Sequence, residues 1–325
     1  METTLPQIQQ IHPQVRMQKT GRLKNTLREM ARHWIDYVCI TPFFISFLVF
    51  FVYPLVWSLA ISFTKYNPLR DFSTAKWVGL DNYTWVLKQP GFVATTKNLI
   101  VYLVTIVPLS LLLPLGLGVL LNLPFIKFRR IFITLIFLPS VTSMVVVGIV
   151  FSFLFSQHEF GWLNALIHAL TGLGPYKWIQ TPGLAYIPVI TLAVWAMLGN
   201  NTLLMLGGLQ AIDAELYEAA QIDGASGWSV FWRITLPLMR PMLFFLLVGA
   251  VMGTLLLFGP IMVLNSNLTT IPNTIGTPMT YVFGALGFGE RIGYGSAASF
   301  LMAIVVIFFS MIQFRYLMNR FTETK

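Results

Sequence analysis

Few side chains of this sequence could carry charged chemistry, and the most informative of them share one polar stretch. Asp213, Glu215 and Glu218 lie within six residues of one another. A carboxylate such as that of Glu218 can pair with a basic residue on another protein. The stretch is therefore one candidate for a docking segment.

Motifs for catalysis, nucleotide binding and metal binding are missing from the sequence. It has no Gly-x-x-x-x-Gly-Lys-[Ser/Thr] phosphate loop, no Gly-x-Ser-x-Gly elbow and no His-Glu-x-x-His pair. The single cysteine, Cys39, lies in an apolar block, and His158 and His168 have no paired ligands beside them. We therefore expect no catalytic residue, no metal and no cofactor in this chain.

The composition indicates a membrane protein. The sequence is 56% hydrophobic and only 10% charged, with a mean hydropathy of +0.73, whereas soluble domains carry about 25% charged residues. The net charge of +9 is dispersed between apolar blocks and forms no dense basic stripe, so nucleic acid is not an expected partner. The lipid bilayer is the expected environment.

Six blocks without Asp, Glu, Lys or Arg are 18 to 26 residues long, and each is long enough to cross a bilayer as a helix. They predict an all-α, polytopic membrane protein with six transmembrane helices, at about 38–63, 99–121, 131–155, 184–208, 242–264 and 297–314. Prolines inside several of these blocks predict breaks or kinks.

The distribution of positive residues predicts the topology. Fourteen of the 21 Lys and Arg residues fall in the two termini and in the loops after the second and fourth blocks. Positive residues near spans stay in the cytoplasm. Both termini are then cytoplasmic, with a tail over residues 1–35, a six-helix membrane domain over 36–325 and the loop 213–237 on the cytoplasmic side.

The loop 213–237 predicts two short helices. Asp213 can cap the first, Glu215 suits the positive end of its dipole, and Gly224 can end it. Ser226 can cap a second helix that ends before Pro237. One interpretation is an amphipathic helix on the lipid headgroups, although two Glu side chains would then face an anionic leaflet. The other is a helix that packs against a partner protein.

The loop also resembles a known motif. Its spacing is similar to the EAA loop of permease subunits in binding-protein-dependent ATP-binding-cassette (ABC) importers, with the matching residues Glu218-Ala219-Ala220, Gly224 and Ile234-x-Leu236-Pro237. That family usually has proline at position 213. The segments 78–83 and 313–316 resemble the sugar-importer branch, in particular the first permease of the maltose and glycerol-phosphate systems.

The resemblance implies the type I importer permease fold and a coupling helix that docks on a cytoplasmic ATPase. The implied coupling residues are Glu215, Glu218, Ala219, Ala220, Asp223, Gly224, Ile234, Leu236 and Pro237. The implied partners are a second permease subunit, two ATP-binding cassette subunits that bind ATP and Mg²⁺, and an extracytoplasmic solute-binding protein. The implied location is the bacterial inner membrane.

Uncharged polar and small residues mark a candidate solute path. Asn200, with Ala196 and Met197, is at positions similar to those that line the maltose permease's site. The other candidates are Ser143, Gly249, Met252 and Gly253. However, Gly249-x-x-x-Gly253 is also a pattern of close helix packing. The six blocks contain no ionisable coupling residue of the kind that ion-driven carriers usually keep there, which favours a neutral or weakly charged solute.

We therefore expect a permease subunit of an ABC importer for a carbohydrate or polyol, which performs no reaction itself. The alternative is a stand-alone secondary carrier or channel for a neutral solute, and a membrane-bound enzyme is a distant third. Dependence on a partner ATPase distinguishes the first two.

Overall fold

The computed structural model describes residues 33–68, 71–123, 125–159, 161–265, 273–287 and 292–322, with side chains as far as Arg315. All of the predicted tail 1–35 except residues 33–35 lies outside this part of the chain. The described chain is helical apart from short connections and one two-residue ribbon, which confirms the predicted all-α class. The chain divides into two compact units after Trp57.

The first unit, residues 1–57, holds α1 (Trp34–Phe47), a π-helical turn (Leu48–Val52) and the start of α2 (Tyr53–Ser62). The amide of Tyr53 donates to the carbonyl of Leu48, five residues back. Pro54 follows immediately, and a proline ring clashes with the carbonyl four residues before it in a regular helix. The wider turn relieves that clash, so the helix continues through the proline.

The second unit, residues 58–325, holds the remaining elements. Strands β1 (Thr64–Lys65) and β2 (Lys76–Trp77) form an antiparallel ribbon in which Thr64 pairs with Trp77. The other helices, in chain order, are α3 (Asp81–Lys88), α4 (Pro90–Asn122), α5 (Arg129–Val141), α6 (Met144–Leu154), α7 (Trp162–Thr171), α8 (Tyr186–Gln210), α9 (Ala214–Ile222), α10 (Gly227–Val230), α11 (Leu236–Leu238), α12 (Arg240–Leu255), α13 (Gly259–Leu264), α14 (Pro278–Gly287) and α15 (Ile292–Thr322).

Four helical segments of the described chain are each long and apolar enough to cross a membrane, namely Trp34–Ser62, α4, α8 and Ile292–Arg315. Two bent helix pairs raise the number to six if each pair is one span. Four of the predicted blocks thus lie in single helical segments, three of which begin several residues earlier than predicted.

The sequence predicts one helix over the block 131–155, and this prediction is wrong. The block divides into α5 and α6, which are bent by 99°. Pro139 lies in the last turn of α5 and cannot donate to the carbonyl four residues before it. Thr142 and Ser143 are extended, and Ser143 precedes the first residue of α6.

The prediction of a single helix over the block 242–264 is also wrong. Helix α12 begins at Arg240 and ends at Leu255, and a new helix, α13, begins at Gly259. Pro260 is at the second position of α13, where its missing N–H has no helical partner to lose. On the other side, α12 is joined at 65° to the helical segment Gly227–Leu238.

Helix α8 lies at the centre of the second unit, and glycines let its neighbours approach closely. A Cβ on Gly199 would lie 2.5 Å from the carbonyl oxygen of Ile136 on α5. A Cβ on Gly118 of α4 would lie 3.3 Å from the Cβ of Met205 on α8. These two backbone crossings fix α4, α5 and α8 against each other.

Candidate functional site

The candidate coupling helix, α9, begins as predicted. Asp213 is extended and its Oδ1 accepts a hydrogen bond of 3.1 Å from the amide of Glu215. This satisfies one of the amides that the first turn of a helix leaves without a partner. The carboxylate of Glu215 adds a favourable interaction with the positive end of the helix dipole.

Helix α9 ends at a two-bond Schellman motif around Gly224. The amide of Ala225 donates to the carbonyl of Ala220 at 2.9 Å, and the amide of Gly224 donates to Gln221 at 3.0 Å. Gly224 has a φ of +73°, in the left-handed region that favours glycine. The predicted C-terminal stop is therefore confirmed, and glycine is required there for its backbone angle.

One surface of α9 faces away from the rest of the chain. Glu215, Glu218 and Ala219 are exposed, whereas Ala220 is buried at 8%. Neither glutamate forms an ion pair with another described residue. Asp223 is also exposed, beside Gly224. The helix thus exposes carboxylates and a small residue on one surface.

The second helix of the loop begins as predicted but continues further. The Oγ of Ser226 accepts a 3.3 Å hydrogen bond from the amide of Ser229. The predicted end before Pro237 is wrong, because the helix runs through α10, a π-helical turn at Phe231–Thr235 and α11. The amide of Leu236 donates to Phe231, five residues back. As before Pro54, the wider turn makes room for the proline ring.

Apolar contacts hold this second helix against the membrane helices. Phe231 and Leu236 pack on a cluster from α4, α8, α12 and the residue before α12, formed by Leu115, Met205, Leu209, Met239 and Leu246. The hydroxyl groups of Tyr217 and Thr235 lie 3.2 Å apart and tie α9 to the second helix. Ile234 is half-buried beside them. Packed contacts therefore connect α9 to the helix bundle.

A cavity of about 680 Å³ lies between α5, α8 and α12. Its lining holds no Asp, Glu, Lys, Arg or His and consists of Phe137, Ser140, Ala196, Met197, Asn200, Asn201, Leu204, Phe245, Leu246, Val248, Gly249 and Ala250. Four of the seven residues predicted for the solute path, Ala196, Met197, Asn200 and Gly249, are thus brought together. Leu246 lines the cavity and also belongs to the cluster under the loop.

The two adjacent asparagines of α8 have different environments. The amide nitrogen of Asn201, which is 8% exposed, donates to the carbonyl of Ser110 on α4 at 3.0 Å. A regular helix would pair that carbonyl with the amide of residue 114, but residue 114 is proline. Asn200 is exposed at the cavity, and no hydrogen bond joins its side chain to another described residue. The amide of Asn201 is engaged with α4, and the side chain of Asn200 is open to the cavity.

The two glycines of α12 also differ. A Cβ on Gly249 would meet no atom within 4 Å, so this face of α12 is open to the cavity. A Cβ on Gly253 would lie 3.0 Å from the Cε of Met197. Gly253 therefore lies just beyond the lining and leaves room for the Met197 side chain.

Two residues predicted for the solute path lie elsewhere. Met252 packs with Leu99, Leu255 and Met302, towards α15. Ser143 is exposed at the bend between α5 and α6. Ser140, three residues earlier and still on α5, lines the cavity in its place.

Sequence reasoning missed Ser140 and the aromatic walls Phe137 and Phe245. Pro139 was the available signal for Ser140, because it marks the end of the helix that carries the adjacent hydroxyl. No local pattern marks Phe137 or Phe245, since their placement depends on the crossing of α5, α8 and α12. Within the described residues no group of three or more His, Cys, Asp and Glu side chains could hold a metal ion.

Comparisons with known proteins agree with this geometry. A family model described as binding-protein-dependent transport system inner membrane component matches residues 113–323. The arabinooligosaccharides transport system permease protein AraP of Bacillus subtilis (strain 168) is 35% identical over 285 residues, which cover 86% of this chain and 87% of AraP. The lactose transport system permease protein LacF of Rhizobium radiobacter is 28% identical over 298 residues, covering 90% of this chain and 98% of LacF.

Solved structures share the fold. A chain of a bacterial ABC transporter involved in the import of the acidic polysaccharide alginate has a TM-score of 0.75 at 24% identity, covering 90% of this chain and 99% of that one. A chain of the bacterial alginate ABC transporter in complex with alginate pentasaccharide-bound periplasmic protein has a TM-score of 0.74 at 25% identity, covering 88% and 94%. The family match and the likeness to AraP show that the chain belongs to the inner membrane components of binding-protein-dependent transport systems.

Proposed function

We propose that this chain is one of the two permease subunits of an ATP-driven importer for a carbohydrate or polyol. The observation that carries the proposal is the loop 213–237, in which the EAA spacing coincides with a capped helix whose carboxylates point away from the chain. The chain performs no reaction itself. ATP and Mg²⁺ are bound by separate ATP-binding cassette subunits.

In the proposed mechanism α9 docks on a cassette subunit, with Glu218 paired to a basic residue there. Ala219 lets the partner approach closely. When the cassettes close, α9 moves, and the packed contacts of Phe231 and Leu236 carry the movement to α4, α8 and α12. Because Leu246 belongs to both the cluster and the cavity lining, the movement changes the shape of the cavity.

The chemistry of the cavity supports a neutral, hydroxyl-rich solute. The uncharged lining offers the Asn200 amide for hydrogen bonds, and Phe137 and Phe245 form apolar walls. The Ser140 hydroxyl donates to the carbonyl of Phe137 at 2.6 Å, which leaves its oxygen as an acceptor for a solute hydroxyl. A volume of about 680 Å³ falls within the range of roughly 300–1,000 Å³ usual for small-molecule sites. The names of AraP and LacF refer to arabinooligosaccharides and lactose, and they support a carbohydrate for this chain.

The proposed assembly contains this chain, a second permease subunit, two ATP-binding cassettes and an extracytoplasmic solute-binding protein. Both termini and the loop 213–237 face the cytoplasm, as the positive residues indicate. Reporter fusions after Lys127 and Ala225 test this orientation and should report the cytoplasm, and those after Lys76 and Lys177 should report the outside. A fusion after Ala225 that reports the outside would contradict the docking of α9 on a cytoplasmic ATPase.

The function is tested with the purified complex in liposomes. We expect ATP hydrolysis to rise when the loaded solute-binding protein is added. Labelled carbohydrate should accumulate in the liposomes only when ATP is present on the side of the membrane that carries the ATPase subunits. The chain alone should give no uptake. Uptake by the chain alone, driven by an ion gradient, would instead establish a stand-alone carrier.

A further inference from the structure

The second helix of the loop, Gly227–Leu238, presents an aromatic face that the proposed coupling role does not use. Trp228 is 73% exposed and Trp232, four residues later, is 49% exposed. Their rings are 5.6 Å apart and share one side of the helix. Phe231 packs between these rings and the bundle, with its own ring 6.4 Å from that of Trp228 and 5.5 Å from that of Trp232. Thr235, at the end of the π-helical turn, is only 6% exposed.

Basic side chains accompany the two tryptophans. Arg233 follows Trp232 directly, and Arg240 opens α12. Both are exposed, and neither forms an ion pair with another described residue. Tryptophan and arginine together are typical of segments at the boundary between the hydrocarbon and the headgroups of a bilayer. Each of these side chains has an apolar part that suits the hydrocarbon and a polar part that suits the headgroups.

The position of this face in the chain indicates what covers it. Gly227–Leu238 leads without a loop into α12, at an angle of 65°. Transmembrane helices tilt on average by about 20° from the bilayer normal, so a segment bent by this angle lies roughly 45–85° from the normal, oblique or parallel to the membrane surface. The tryptophans are then at the depth where the chain enters the bilayer.

We propose that Trp228, Trp232, Arg233 and Arg240 form a binding surface for anionic lipid headgroups of the cytoplasmic leaflet. Charge divides the loop between two partners. Helix α9 carries Glu215 and Glu218, which an anionic leaflet repels, whereas the second helix carries only positive charge. The lipid holds one helix of the loop at the membrane surface, while the other remains accessible to the ATPase.

Site-directed fluorescence in the assembled complex tests this surface. Cys39 is the only cysteine of the chain, so Cys39→Ser with Trp228→Cys allows a single environment-sensitive probe when the partner subunits lack cysteine. The matched control is Ile222→Cys, because Ile222 is 87% exposed at the end of α9. The complex is placed in phosphatidylcholine vesicles with and without phosphatidylglycerol, and quenching by headgroup nitroxide is compared with quenching by aqueous iodide.

We expect nitroxide to quench the probe at 228 and not the probe at 222, with a stronger effect when phosphatidylglycerol is present. Arg233→Gln should remove much of that dependence, since one arginine at an anionic surface corresponds to roughly a fivefold effect on binding. Trp232→Cys should behave as Trp228→Cys does. Quenching by iodide alone, or a probe at 228 that is shielded only while the ATPase is bound, would overturn the proposal. These readings need no transport and are independent of the solute.

Discussion

The loop 213–237 and the cavity differ in how their geometry arises from the sequence. In the loop, Asp213, Gly224 and Ser226 each make their decisive hydrogen bonds within five residues along the chain. In the cavity, Ser140, Asn200 and Gly249 come from three helices and meet only in the folded bundle. The geometry of the loop depends on residues that are neighbours along the chain, whereas the geometry of the cavity depends on how three helices cross. Substitutions in the two regions should therefore fail in different ways.

The largest effect is expected for Glu218→Lys. It places a positive charge where the docking proposal requires a negative one, so solute-stimulated ATP hydrolysis should be abolished while insertion and melting temperature stay close to wild type. Glu159→Lys is the matched control, since Glu159 is also exposed but lies in another loop. Normal transport by the Glu218→Lys complex would remove α9 from the coupling step.

Gly199→Val should fail at assembly. The added side chain would begin 2.5 Å from the Ile136 carbonyl oxygen, and a backbone atom in a packed helix crossing has little room to move. We expect a loss of about 1–3 kcal/mol or more of stability, measured as a lowered melting temperature and a low yield of folded complex. Gly249→Ala is the control, because a Cβ there meets no atom within 4 Å. Equal melting temperatures for the two variants would refute the close crossing of α5 and α8.

Gly224→Ala should weaken coupling to an intermediate degree. A φ of +73° costs a residue with a Cβ roughly 1–2 kcal/mol, so the turn after α9 should open and present Glu218 in a less defined position. The expected result is reduced uptake with normal assembly. Gly227→Ala should be tolerated, because Gly227 is equally open but is not among the positive-φ glycines. The reverse order of effects would contradict the role of the Schellman motif.

Asn201→Ala and Asn200→Ala should have the most separable effects, and the effect of Asn200→Ala on stability should be the smallest of all. The first leaves the buried Ser110 carbonyl without its donor, which should reduce stability by about 1–3 kcal/mol and lower the melting temperature. The second should leave the melting temperature unchanged and weaken the response of ATP hydrolysis to solute. A lowered melting temperature for Asn200→Ala with an unchanged solute response would remove Asn200 from the solute path.

The loop could be predicted in most of its details because its signals are short-range. The caps at Asp213 and Ser226 and the stop at Gly224 follow from side-chain chemistry and backbone freedom alone. The end of the second helix could not be predicted, because a proline such as Pro237 normally breaks a regular α-helix. No residue type in this segment indicates the π-helical turn that accommodates the proline.

The cavity could be predicted only in part. Asn200, Met197 and Ala196 follow from the resemblance to the maltose permease, aligned on the coupling loop, and the alignment carries over because the loop and these residues are joined by a single helix, α8. Ser143 was placed on an assumed continuous helix through residues 131–155, and the bend of 99° after Pro139 moves it away from the lining. The pattern Gly249-x-x-x-Gly253 suggests close helix packing on α12. The close crossing is instead at Gly199 of α8, where the neighbouring backbone belongs to α5, more than 60 residues earlier in the chain.

The π-helical turn at Phe231–Thr235 also resets the phase of the helix that contains it. In a regular α-helix, residues seven apart lie on nearly the same side, because seven residues complete almost two turns. Trp228 and Thr235 are seven apart, yet one is 73% and the other 6% exposed. The wide turn takes up about one extra residue and rotates everything after it by roughly 100°. Deleting a single residue within the turn would restore the regular α-helical phase between the residues before it and those after it. The tryptophans would then face away from the surface on which they now lie.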